Sequence, residues 1–131
     1  MRTREDIEAY LLRTGLSYDA VDGRDLWVVH GEGLGSGVAV TLAGPVVVFR
    51  VKVLEVSKAT TQRGELFERL LRLNATDMVH GAYGLAGDDV VLLCTLRVAN
   101  LDFDEFQGTL DDFSVALSKH YEALTAAQRP S

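Results

Sequence analysis

The chain has 131 residues, of which 47% are hydrophobic and 24% charged, with a net charge of −6. That length suits one domain with a real core and is too short for two, and the acidic balance argues against a nucleic-acid groove, which needs clustered Lys and Arg. A single cysteine excludes an intramolecular disulfide and points to a reducing cytoplasm, while no apolar run approaches the ~20 residues of a membrane span.

The N-terminal MRTREDIEAYL is charged and amphipathic, without an apolar signal core. Thr3 with Asp6 forms a capping-box pattern. Ile7, Tyr10, Leu11 and Thr14 then share one helical face, and Gly15 supplies a stop. Leu16–Asp22 reads as extended, Asp22-Gly23 as a hairpin turn, and Leu26–His30 as a strand with Trp27 and Val29 on one face. The Gly31–Gly37 run is a mobile hairpin loop, followed by a strand over Val38–Leu42 and a turn at Gly44-Pro45. Val46–Val56 is the longest strand. Its odd positions Val47, Phe49, Val51 and Val53 make an unbroken apolar face. Its even positions Val46, Val48, Arg50, Lys52, Leu54 and Val56 are apolar at both ends and basic in the middle. Ser57–Gly64 is a polar connector.

The rest of the chain is organised around Glu65–Phe106. Leu66, Phe67, Leu70, Leu71 and Leu73 cover roughly 160° of a helix surface, more than one sheet contact needs. Val79–Leu85 and Asp89–Val98 form a hairpin around Gly87-Asp88. In the return strand Val90, Leu92, Cys94, Leu96 and Val98 alternate as a buried face, yet Val91 and Leu93 on the other face are apolar too. Asp102 and Glu105 open the last helix as N-cap and N3 residues. Phe103, Phe106, Leu110, Phe113, Leu117, Tyr121 and Leu124 then recur at three- and four-residue steps as its core stripe. Residues 1–127 form one domain and 128–131 a tail. The order is helix, several meandering strands, helix, two strands, helix. This is an α+β domain with an antiparallel sheet and helices covering one side. The opposite side, carrying Val46, Val48, Val91 and Leu93, is too apolar for open water and calls for a second copy or a client chain.

Chemical motifs are sparse. The Gly31–Gly37 loop lies near the kinase pattern G-x-G-x-x-G-x-V, with Ser36 at the third glycine and Lys52 on a following strand. The chain is far too short for a kinase and lacks H-R-D and D-F-G, and the loop opens no helix. His30, His80 and His120 are scattered without metal-ligand spacing. Cys94 sits mid-strand as a small buried hydrophobe with no activating base evident. Asp88-Asp89 is turn chemistry. Asp111-Asp112 is a solvated helix face, or a docking point for a basic partner. No catalytic constellation emerges, so neither an enzyme nor a cofactor is expected.

The stretches DGRDLWVVHG, VVVFRVKV, LLRLNATDMVHGAYGLAGDDVVLLCTL and LDFDEF, in that order, resemble the YbjN family, labelled as candidate sensory-transduction regulators. That family's fold is similar to the class I type III secretion chaperones, which are small, acidic and dimeric with the order α-β-β-β-α-β-β-α. The resemblance spans Asp6 to Leu124. It rests on Leu73-Asn74, Gly84-Leu85, Gly87-Asp88 and Leu101-Asp102 as structural punctuation, so no functional residue is carried over. Arg97-Val98-Ala99 departs from it, where a proline is expected near the strand end. The resemblance implies a homodimer formed through the middle helix and adjacent strands, binding a client protein without ATP or chemistry. The candidate dimer contacts are Phe67, Leu70, Leu71, Val91 and Leu93. The client is expected across Val46, Val48, Arg50, Lys52 and Leu54 or along a sheet edge, with Asp111 and Asp112 available to a basic, DNA-binding partner. No direct contact with nucleic acid or membrane is expected. The alternative is a regulatory domain sensing a small molecule between helices and sheet.

Overall fold

Thr3 opens the first helix as its spacing to Asp6 predicts, its N–H donating to Asp6 Oδ2 at 2.8 Å. Gly15 closes it at φ 75°, with its N–H on the Leu12 carbonyl. The computed structural model describes residues 3–56 and 63–126. Of the expected connector Ser57–Gly64, residues 57–62 lie outside the described residues, as does the tail at 128–131, whereas Arg63 and Gly64 already belong to the second helix. In chain order the elements are α1 (Arg4–Thr14), β1 (Ser17–Ala20), β2 (Leu26–His30), β3 (Val38–Ala43), β4 (Val46–Glu55), α2 (Arg63–Thr76), β5 (Ala82–Ala86), β6 (Asp89–Arg97) and α3 (Phe103–Ala126). Four strands precede α2, so the expected order gains one: α-β-β-β-β-α-β-β-α. The extra strand is the short β1, which needs only its hairpin partner β2. Among the described residues no helix is long and apolar enough to cross a membrane.

The six strands form one antiparallel sheet in the order β1-β2-β3-β4-β6-β5. Register makes the two faces explicit, because directly paired residues point the same way. Val40, Phe49 and Cys94 align across the sheet, as do Val29 with Val38 and Val51 with Leu92. This is the core face. On it Trp27, Val29, Val40, Val47, Phe49 and Leu92 are fully buried. α1 and α3 cover it, as an aromatic cluster records. Phe106 meets Phe49 edge-on at 5.2 Å between centroids, and Tyr10 of α1 lies 5.5 Å from Phe106. The Tyr10 hydroxyl also donates to the Leu101 carbonyl, fastening α1 to the start of α3.

The faces do not run cleanly to the end of β4. Register shifts between Lys52 and Leu54, so that Lys52 pairs Val91 while Leu54 pairs Val90. An inserted residue reverses the alternation beyond it. Val53 and Leu54 are therefore both buried, and Leu54 joins the core cluster. The expected client-binding role of Leu54 is corrected accordingly.

α2 closes one end of the sheet. Asn74 accepts from the Tyr83 N–H at 2.7 Å and donates to the Tyr83 carbonyl at 3.0 Å, doing for that residue of β5 what a further strand would do. An unpaired edge invites another chain, and here one is occupied. The other edge, β1, has three exposed residues out of four. β5 begins at Ala82 rather than Val79 because Gly81 takes φ 83°, and a Cβ there would stand 2.6 Å from the Leu93 carbonyl. The missing proline near β6 is accounted for as well. The Val98 N–H donates to the Pro45 carbonyl at 3.0 Å, which a proline at 98 would forbid.

Candidate interaction surfaces

Burial separates the expected dimer residues into two groups. Leu66 and Leu70 of α2 turn into the core, whereas Leu71, one residue on, is 69% exposed. Phe67 is half-buried between them. Phe67, Leu70, Leu71 and Asn74, with Tyr83, Gly84 and Leu85 of β5, line an apolar groove of about 260 Å³. Leu85 is exposed on its rim, and Leu93 is partly exposed on the outer sheet face nearby. Val91, expected in the same contact, is only 2% exposed. It faces outward by register but sits mid-sheet between Lys52 and Gly84. Leu70 and Val91 thus belong to the fold of one chain, and Phe67, Leu71 and Leu93 present surface.

α1 and α3 pack against the core face of the sheet, and at the β5 end the α2 residues Phe67 and Leu71 border Gly84 of the outer face. Val46 and Val48 are half-buried there, and Arg50 and Lys52 are exposed. Pairing adds Arg97 opposite Val46, Thr95 opposite Val48, and Leu93 with Ala39 beside Arg50. Four of the five strand residues expected to meet a client therefore do share one face. Asp111 and Asp112 do not join them, since α3 covers the other side. Asp111 accepts from the Gln107 amide at 2.8 Å, and Asp112 is hydrogen-bonded to His80.

A third constellation escaped the sequence reading. His120 is 5% exposed on the buried stripe of α3. Its Nε2 lies 3.1 Å from Asp77 Oδ2 and its Nδ1 2.8 Å from the Tyr83 hydroxyl. With Nε2–H donating to the carboxylate, Nδ1 is left to accept from Tyr83. Lys119 also reaches Asp77, at 3.2 Å, and the Thr76 hydroxyl donates to its other oxygen. His120, Lys119 and Thr76 together hold the Asp77 carboxyl below its ordinary 3.8. Burial, with Asp77 beside it, pushes the Tyr83 phenol up to about 12. A phenol so reluctant to ionise is a poor acid or base near neutrality, and the adjacent pit is about 80 Å³, too small for a substrate. The cluster is a polar lock joining the end of α2, β5 and α3. A folded-state pKa below the unfolded one stabilises above the ordinary value and loses that contribution as pH falls through the folded value. Asp77→Asn is therefore expected to flatten the acid limb of the stability profile below about pH 4, read as urea midpoints at falling pH. An unchanged acid limb would remove Asp77 from the lock.

The glycine loop has a structural task. Its two turns seat Leu34 in the core at 2% exposure, and Ser114 of α3 donates to the Glu32 carbonyl. Gly33 is required at φ 79°, because a Cβ there would stand 2.4 Å from Ser114 Oγ. Between this loop, the β4 bulge and the second half of α3 lies a cleft of about 730 Å³, with Ser36, Val53, Leu117 and Ser118 among its walls. Lys52 offers no phosphate contact of the kinase kind, since its ammonium is paired with Glu55 and Asp89. The Cys94 thiol is buried and pushed up, chiefly by that burial. Among the described residues no three His, Cys, Asp or Glu side chains are grouped to hold a metal.

Comparison with known proteins bears on the fold. The profile of the family described as CesT_Tir_1 matches residues 1–129. YbjN of E. coli superposes with a TM-score of 0.69 at 16% identity, covering 99% of this chain and 97% of that one. The heterodimeric ExoU–SpcU complex of the Pseudomonas aeruginosa type III secretion system contains a chain that matches with a TM-score of 0.67 and 16% identity, over 95% of this chain and 99% of that one. A chain of the ExsC–ExsE complex gives 0.64 and 15%, over 95% and 97%. No curated protein matches the sequence. The expected likeness to YbjN and to secretion chaperones therefore holds at the level of fold.

Proposed function

This chain belongs to the CesT_Tir_1 family, and on that premise we propose that it is a non-catalytic protein-binding module, a homodimer that holds a partner protein. The observation that carries the reading is the pair of uncovered apolar surfaces on one small chain, the α2–β5 groove and the outer sheet face. A lone soluble domain has little use for both. The groove, with Leu71 and Leu85 exposed on it, is assigned to self-association. The sheet face, with Val46, Val48 and Arg50, is assigned to the partner, and the open β1 edge offers an extended segment further backbone pairing. That two structural neighbours come from complexes of two different proteins supports a partner-binding role. A basic partner, expected from Asp111 and Asp112, fits poorly. Those carboxylates already hold Gln107 and His80, and the sheet face carries arginines.

Affinity capture from the host lysate tests the reading when wild type and Val48→Glu are run side by side. A protein recovered in fixed ratio by wild type and lost with Val48→Glu is the expected result. Equal recovery by both would move the partner site off the sheet face. The roughly 730 Å³ cleft between the glycine loop and α3 favours a second reading, a domain sensing a small molecule, since its size suits one. A melting shift with one member of a metabolite panel, absent in Ser118→Trp, would establish it; an unresponsive panel would discard it.

A further inference from the structure

We infer that the outer sheet face receives an acidic segment interleaved with apolar residues, its carboxylates gripped by Arg50 and Arg97; the inference rests on the partner-binding reading above. The charges on this face are unevenly satisfied. Lys52 is bridged to Glu55 and Asp89, and His30 to Asp19. Among the described residues no carboxylate reaches Arg50 or Arg97. In a chain with net charge −6, these two leave a patch of the opposite sign on the outer sheet face, where both are exposed.

Their surroundings distinguish them from ordinary solvated arginines. Arg50 stands between Ala39 and Leu93, and Arg97 stands opposite Val46. Val48 and Thr95 lie between the two along the strands. A partner covering these half-buried valines must also desolvate the guanidinium groups. An uncharged segment would leave them buried without partners, and a basic one would add repulsion. Carboxylates answer both, because the planar guanidinium forks onto them with two parallel hydrogen bonds.

Register also sets the spacing. Arg97 sits at the level of Val46, four residues from Arg50 along β4, a span of ~13 Å at about 3.3 Å per residue. An extended segment presents positions i, i+2 and i+4 on one side. Acidic residues at i and i+4 then meet the arginines, and an apolar residue at i+2 falls over Val48 and Thr95.

The test uses three short fluorescent peptides built on Glu-x-Leu-x-Glu, Gln-x-Leu-x-Gln and Lys-x-Leu-x-Lys, titrated against the full chain by anisotropy. The Glu peptide is expected to bind about tenfold more tightly than the Gln peptide, the scale of two charge pairs. The Lys peptide should not bind. Arg50→Glu with Arg97→Glu should exchange the preference, admitting the Lys peptide and excluding the Glu one. Both variants sit at exposed positions, so melting and particle mass should not change. Equal binding of the Glu and Lys peptides, or a Glu peptide indifferent to the double reversal, overturns the inference. A Gln peptide that binds as well as the Glu peptide, and is lost with Val48→Glu, keeps the partner face and overturns the acidic chemistry. No binding by any peptide, while capture still recovers a partner dependent on Val48, overturns it in the same way. A double reversal that leaves single chains in solution would put a second copy on this face, and that too overturns it.

Discussion

Leu71→Glu is expected to halve the particle mass measured by light scattering, from two chains to one, without unfolding the chain. Leu71 is 69% exposed in the single chain, so the monomer spends no packing on it and a polar replacement there costs little. In the proposed dimer the same side chain closes the groove of Phe67, Leu70, Tyr83 and Leu85. Burying a leucine contributes about 1.5–3 kcal/mol, and an unpaired carboxylate in its place adds a penalty of several kcal/mol. Together these exceed about 4 kcal/mol, roughly a thousandfold in the dimer constant. Leu85→Glu, on the opposite rim, should act alike. Val91→Glu would not serve, because Val91 is already buried within the chain and a charge there would unfold it. A mass left at two chains by both rim variants would move the interface elsewhere.

Phe106→Ala acts on the core instead and should destabilise the fold by about 3–5 kcal/mol, as truncation of a large core aromatic does. Phe106 is fully buried and packs on Phe49 of the sheet and on Tyr10 of α1. One side chain thus joins both covering helices to the central strand. Against a total stability of about 5–15 kcal/mol, the loss should lower the melting temperature by roughly 10–20 °C. Phe113→Ala, which removes the second ring on Phe49, should behave similarly. A shift of only a degree or two would mean that α3 does not cover the sheet as described.

Local signals carried most of this fold. Thr3 with Asp6, Gly15, Gly44-Pro45, Gly87-Asp88 and Asp102 each state a cap or turn in a few adjacent residues, and each is found where expected. The alternating runs in β4 and β6 revealed their core faces for the same reason. What was illegible depends on partners distant in sequence. Nothing in VKVLEV announces that register slips between Lys52 and Leu54, because the bulge is defined against Val90 and Val91. Leu71 and Leu70 look alike in sequence, and only the position of β5 decides which is buried. The periodic stripe of α3 included Tyr121, yet Tyr121 is half-exposed and His120 takes the buried place. A histidine scores as polar unless Asp77 and Tyr83 are known to satisfy it. The outer face was legible as excess apolar surface in Val46, Val48 and Leu93. That no carboxylate among the described residues reaches Arg50 or Arg97 required the whole register.

Carbene labelling of exposed side chains, read by mass spectrometry on the unbound protein and on the captured complex, tests the division of surfaces most directly. Weak labelling of Leu71 and Leu85 is expected in both samples, with labelling of Val46, Val48 and Leu93 that falls only in the complex. Strong labelling of Leu71 in the unbound protein, or a sheet face labelled equally in both samples, would contradict that division.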